Sequence, residues 1–254
     1  MTLTLGDGPL AFPGPQDVNY DIDGPKHRLL MHPFPRRVRA ELGGETIFDS
    51  TRAQLVHESH LLPVLYVPRE DVTGQLTRSE KVTHCPFKGD ASHFHVGDAQ
   101  DVAWRYEAPM DAAPWLDGLV AFYADRLDAW YDEDEPIYGH VRDPYHRTDV
   151  RRSSRRMTVT AGGEPVAEST NALVLSETGL PNRWYVPRED VTAALEPSGT
   201  ARTHCPYKGD ADYFDVAGVE DAAWGYVEPY DSVRPIAGHL SFMGDGIEVA
   251  AEGD

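Results

Sequence analysis

The chain has 254 residues, 41% of them apolar and 26% charged, with 23 Lys and Arg against 42 Asp and Glu for a formal charge of −19. That balance is that of a folded globular protein, not a disordered one, and it opposes nonspecific binding to nucleic acid, because phosphate is repelled over most of the surface. No apolar run approaches the roughly 20 residues of a membrane-spanning helix, and the opening MTLTLGDGPL lacks the basic and long apolar segments of a secretion signal, so a cytoplasmic protein without a membrane partner is expected.

Residues 1–23 are rich in Gly, Pro and Asp and have no counterpart later, which predicts an irregular arm. From there the chain duplicates itself. GPKHRLLMHPFPRRVRAELGGETIFDS (24–50) aligns with DPYHRTDVRRSSRRMTVTAGGEPVAES (143–169), pairing His27 with His146 and Gly43-Gly44 with Gly162-Gly163. LYVPREDVT (65–73) aligns with WYVPREDVT (184–192), THCPFKGD (83–90) with THCPYKGD (203–210), and DVAWRYEAP (101–109) with DAAWGYVEP (221–229). A unit of about 100 residues is the size of a complete domain, so two homologous domains are predicted, over 24–126 and 143–254. The connection at 127–142 has an acidic run and Pro136, which favour exposure, while Trp130 and Tyr131 favour packing.

Within each unit the pattern is one of short strands. RVRAELGGETIFDS alternates on both sides of Gly43-Gly44 and reads as a β-hairpin, VLYVP is a strand stopped by proline, and HFHV and YFDV alternate again. EDVTGQL and EDVTAAL read as single turns capped by Asp71 and Asp190. The fold class is mainly β, with short antiparallel strands. The basic run RRSSRR (151–156) reads as a solvated strand entry, with an anion-binding role as the alternative.

The two cysteines, Cys85 and Cys205, both lie in the CP-x-KGD copies, too few and too far apart for a disulfide framework or a zinc ribbon. A thiol beside Lys88 or Lys208 and a glycine turn suits a nucleophilic or ligand-binding thiol, with Asp90 or Asp210 holding the lysine. The bland alternative is a small buried hydrophobe with a turn ion pair. In the PRED segments Arg69 and Arg188 suit an anion clamp, and Glu70 and Glu189 suit a general base. A capped strand end is the alternative there. Glu58 and Glu177 recur at one interval and are equally ambiguous. Trp104 and Trp224 read as core or as a stacking wall. His93 and His95, on one strand face, read as surface or pocket-lining histidines in preference to a metal site; no metal and no cofactor are assigned.

Taken together, S-T-x-A, Y-V-P-R-E-D-V, T-H-C-P-[FY]-K-G-D and A-W-x-Y resemble domain of unknown function 427, in its tandem actinobacterial form, over residues 25 to 245. The resemblance implies a small β-tent-like fold in each half, related by a pseudo-two-fold axis. In relatives of that fold paired cysteines bind zinc, and such pairs are missing here. A nucleotidyltransferase-like label attaches to the family, yet the sequence has neither a Gly-Ser motif with spaced aspartates nor a P-loop. By position the resemblance implies one pocket of Tyr66, Arg69, Glu70, Cys85, Lys88 and Trp104, and a second of Tyr185, Arg188, Glu189, Cys205, Lys208 and Trp224. The expectation is a small-molecule binding protein or enzyme, taking an anionic or planar metabolite. A noncatalytic scaffold and a thiol-dependent transferase or hydrolase are the alternatives, and an internal domain interface would make a monomer plausible.

Overall fold

The structure, a computed structural model, describes residues 24–253 together with 3, 4, 8, 10, 11, 17 and 19. Most of the predicted 1–23 arm lies outside the described residues. The chain divides into two compact units, Met1–Tyr145 and His146–Asp254. Among the described residues no helix is long and apolar enough to cross a membrane.

The first unit comprises β1 (Leu29–Pro33), β2 (Val38–Leu42), β3 (Glu45–Ser50), β4 (Gln54–Glu58), β5 (Val64–Pro68), β6 (Leu76–Cys85), β7 (Gly89–Val96), β8 (Ala99–Tyr106), β9 (Leu119–Phe122), β10 (Ala129–Asp132) and β11 (Glu135–Pro136). A seven-stranded sheet runs β1-β4-β5-β9-β8-β7-β6, and a smaller one runs β11-β10-β2-β3. The second unit repeats the plan with β12 (Thr148–Arg152), β13 (Met157–Ala161), β14 (Glu164–Ser169), β15 (Leu173–Glu177), β16 (Leu180–Pro187), β17 (Leu195–Pro197), β18 (Thr203–Cys205), β19 (Gly209–Val216), β20 (Val219–Tyr226), β21 (His239–Phe242) and β22 (Ile247–Ala251). Its large sheet is β12-β15-β16-β21-β20-β19-β17, with β18 also on β19, and its small one is β14-β13-β22. The protein is mainly β and antiparallel, as its alternating segments predict.

The predicted hairpin is β2–β3, where Gly43 and Gly44 take φ of +64° and +80°. Two successive positive φ values match the right-handed strand twist and favour glycine. The segment 127–142, expected as a connection, instead carries β10, paired along β2 from Ala129↔Glu41 to Asp132↔Val38. Burial of the Trp130 ring against Phe48, at 5.5 Å between centroids, outweighs the acidic residues that follow it. The counterpart β22 pairs β13 in the second unit, so the repeat extends past the stretch that sequence similarity reveals.

Because side chains alternate across a strand, each large sheet has two distinct faces. In the first unit Leu55, Leu65, Val67, Val120 and Phe122 point one way and pack with Val38, Phe48 and Trp130 of the small sheet. Val56, Tyr66, Ala91, Tyr106 and Ala121 point the other way, into a second cluster with Ala113 and Leu116. The candidate site lies on that second face. In the second unit Leu175, Tyr185, Ala211, Tyr226, Val233 and Ile236 form the equivalent cluster.

The PRED segments staple the two sheets of a unit to each other. Pro68 ends β5, Arg69–Asp71 make one 3-10 turn, and Val72 bridges to Phe48 of the small sheet. Asp71 does not cap this turn, which starts three residues earlier than expected; its carboxylate accepts from Ser50 Oγ at 2.6 Å.

Candidate functional site

Cys85, Pro86, Phe87 and Lys88 form the turn from β6 to β7, closed by the Lys88 N–H donating to the Cys85 carbonyl at 3.3 Å. Proline at the second position presets the backbone for such a turn. Gly89 follows with φ +101°, a conformation that L side chains rarely adopt, and an added Cβ would meet the Ala108 carbonyl at 3.4 Å. Gly89→Ala is expected to destabilise the first unit by about 1–2 kcal/mol, which a denaturant titration measures; an unchanged midpoint would contradict this geometry. The second unit repeats the turn, with Lys208 N–H donating to the Cys205 carbonyl at 3.1 Å and Gly209 at φ +102°.

The turn delivers Lys88 onto the inner face, where its side chain is only 10% exposed. Its partner is Glu58, the last residue of β4, which accepts the ammonium on Oε2. The other carboxylate oxygen lies 2.8 Å from His27 Nε2, and the His27 ring stacks on Phe87 at 3.7 Å. Every element recurs in the second unit. Lys208 Nζ reaches Glu177 Oε2 at 2.7 Å, His146 Nε2 reaches Oε1 at 2.9 Å, and His146 lies over Tyr207 at 3.7 Å. Burial works to raise the Glu177 carboxyl, but His146 and Lys208 outweigh it and hold the group down at about 2.

Beside this charged group lie a thiol and aromatic rings, with Lys88 Nζ 6.0 Å from the centre of the Tyr106 ring. Cys85 is half-buried and packs against the cluster that holds the buried Tyr106. Tyr66 is buried beside Trp104, ring centroids 6.3 Å apart in a T-shaped arrangement. Burial pushes both phenols well above the ordinary tyrosine range, and neighbouring Glu58 and Cys85 push the same way. Both tyrosines therefore act as neutral hydrogen-bonding groups at neutral pH. Trp104 is half-buried and continues to Tyr123 at 4.4 Å. In the second unit burial again raises Tyr185 and Tyr226.

The structure thus brings together Cys85, Lys88, Tyr66 and Trp104, and likewise Cys205, Lys208, Tyr185 and Trp224. It places the other predicted site residues elsewhere. Arg69 donates to the Val72 carbonyl at 3.2 Å, within its own turn. Glu70 is exposed and pairs with Arg52 on the surface. Arg188 lies over the Phe214 ring at 4.6 Å, and Glu189 is exposed. The physical reason is that Pro68 and Pro187 end their strands, and the 3-10 turn then carries the chain toward the small sheet. Asp90 and Asp210 are also exposed. One step along the strand from Gly89 reverses the side-chain direction, so Asp90 pairs across to His84 Nδ1 at 2.7 Å instead of holding Lys88. Asp210 does the same with His204, at 2.7 Å.

His27 and His146 are site residues to which the sequence motifs give no role, and Glu58 and Glu177, ambiguous in sequence, join them here. The available signal was the repeat itself, since all four have counterparts at one offset. His93 and His95 are both occupied within the fold: His93 Nε2 lies 3.0 Å from Thr83 Oγ1, and His95 Nδ1 accepts from the Asp101 N–H at 2.9 Å.

A family model described as Domain of unknown function (DUF427) matches residues 30–133 and again 149–253. No curated protein matches the chain.

Proposed function

The chain belongs to the domain of unknown function 427 family through both of its halves, and on that premise we propose that each unit binds a small planar molecule at the half-buried tryptophan and thiol. The observation that carries the reading is the recurrence, residue for residue, of a buried Lys–Glu–His network beside an accessible thiol and indole. Burying ionised groups costs several kcal/mol per charge, and a well-packed apolar substitute is often at least as stable. A fold that merely needed filling has little use for the same three polar groups twice.

The arrangement supports a planar ligand in preference to an anionic one. Lys88 and Lys208 are each neutralised by a glutamate, and the arginines stand in the sheet-joining turns. The flat faces of Trp104 and Trp224 suit stacking, and the neutral tyrosine hydroxyls suit hydrogen bonds to carbonyl or amide groups. Reaction at the thiol is not needed for this proposal.

Iodoacetamide labelling of the native protein tests access to the site. Both cysteines are expected to alkylate at neutral pH without denaturant. Labelling that appears only after unfolding would place both thiols in sealed cores, and the scaffold reading would replace this one.

A further inference from the structure

The first unit holds a second polar cluster, on the face of its large sheet turned away from Glu58. His57 lies on β4 next to Glu58, so its side chain points oppositely, and it is fully buried. Its Nε2 is 2.9 Å from Nε2 of His32 on the neighbouring β1, and its Nδ1 is 3.7 Å from Oδ2 of the buried Asp143. Tyr145 covers the pair, its ring 4.8 Å from His32 and 5.8 Å from His57, while its N–H donates to Asp143 Oδ1 at 2.9 Å. The other neighbouring strand, β5, sets only Leu65 and Val64 beside this stretch. The nearby Arg36 is paired to Asp132 and donates to the Arg142 carbonyl at 3.3 Å. The second unit has Arg151 and Ser176 at the positions of His32 and His57, so the cluster belongs to the first unit alone.

Hydrogen-bond logic fixes the protons. The Pro33 carbonyl can only accept, so His32 Nδ1, 2.9 Å away, carries a hydrogen and donates. Neutral His32 then has a bare Nε2, which accepts from the Nε2–H of His57. That leaves His57 Nδ1, which has no hydrogen-bond partner among the described residues, facing the Asp143 carboxylate. The chain from Asp143 through His57 and His32 to Pro33 has room for one further proton, at His57 Nδ1. Any proton beyond that one falls on His32 Nε2. Two N–H donors would then face each other across 2.9 Å, and the pair has to open.

We propose that this chain is an acid-released latch, in which the two histidines hold residues 141–145 against the first unit and let them go when both rings are protonated. Burial holds His57 below the ordinary imidazole range, against the pull of Asp143, so the closed form is the one expected at neutral pH. The released segment runs directly into His146, the residue that positions Glu177 in the second candidate site. That consequence rests on the functional reading above; the latch itself does not.

Hydrogen exchange of the full chain, corrected for intrinsic rates, tests it between pH 7.5 and 5. Protection of residues 138–147 is expected to fall by up to about tenfold per pH unit once the second ring titrates. Protection of β7 in the same unit should hold, which separates release from unfolding. His32→Gln keeps an acceptor for His57 but cannot take the proton, so its segment should stay protected across the range. No change in the wild type, or the same fall in His32→Gln, would overturn the proposal. If that variant does not fold, side-chain 15N NMR of the wild type decides: release without titration of His32 and His57 sinks the idea.

Discussion

Glu58→Ala is expected to destabilise the first unit by about 3–5 kcal/mol, among the largest effects of any single change in the molecule. The substitution leaves Lys88, a group with a side chain 10% exposed, charged and without its partner, and it removes the group that orients His27. The cost of an uncompensated buried charge dominates; the lost packing is a smaller part. The counter-test is to remove both charges at once. Glu58→Gln with Lys88→Met keeps an acceptor for His27 and takes the ammonium away, so the double variant should be more stable than Glu58→Ala alone. Coupling between the two positions of about 2–3 kcal/mol is expected in a double-mutant cycle monitored by chemical denaturation. Additive effects would mean that the pair is screened by water and that the buried network described here is wrong.

The second large effect is acid lability of the second unit. The Glu177 carboxyl sits at about 2 in the folded state against an ordinary 4.5, because His146 and Lys208 outweigh its burial. A group whose folded value is depressed stabilises the fold above its unfolded value and loses that contribution as pH falls through the folded one. The second unit should therefore be stabilised in full above pH 4.5 and lose roughly 3 kcal/mol on the way down to about 2. Glu177→Gln cannot titrate, so it should be less stable at pH 7 and show a flatter dependence over that window. Urea unfolding at pH 6, 4 and 3 checks this, and equal slopes for the two proteins would contradict it.

Residues close in sequence were the legible part of the site. Cys85 and Lys88 are joined by one turn, whereas Tyr66 and Trp104 were placed beside them by the family resemblance. Glu58 is 30 residues from Lys88, and His27 is 31 from Glu58; only strand pairing brings them together, and pairing is not written in local pattern. The PRED motif drew attention by its density of charge, yet the proline that makes it conspicuous also turns it out of the site. The fold was more legible, because duplication, Gly43-Gly44 and alternation each carry their own physical signal. Strand β10 was hidden by the acidic residues around Trp130, where burial of one indole prevailed over the flanking charges.

Thiol and indole in each unit are proposed to form one binding surface beside the Lys–Glu–His network. The direct test is to screen small planar fragments while following the Trp104 and Trp224 indole N–H resonances and the alkylation rates of Cys85 and Cys205 in the same samples. The expected result is that a fragment shifting the Trp104 resonance slows alkylation of Cys85, and one shifting Trp224 slows Cys205. Fragments that shift an indole without protecting the thiol of the same unit, or a screen in which none shifts either indole, would contradict it.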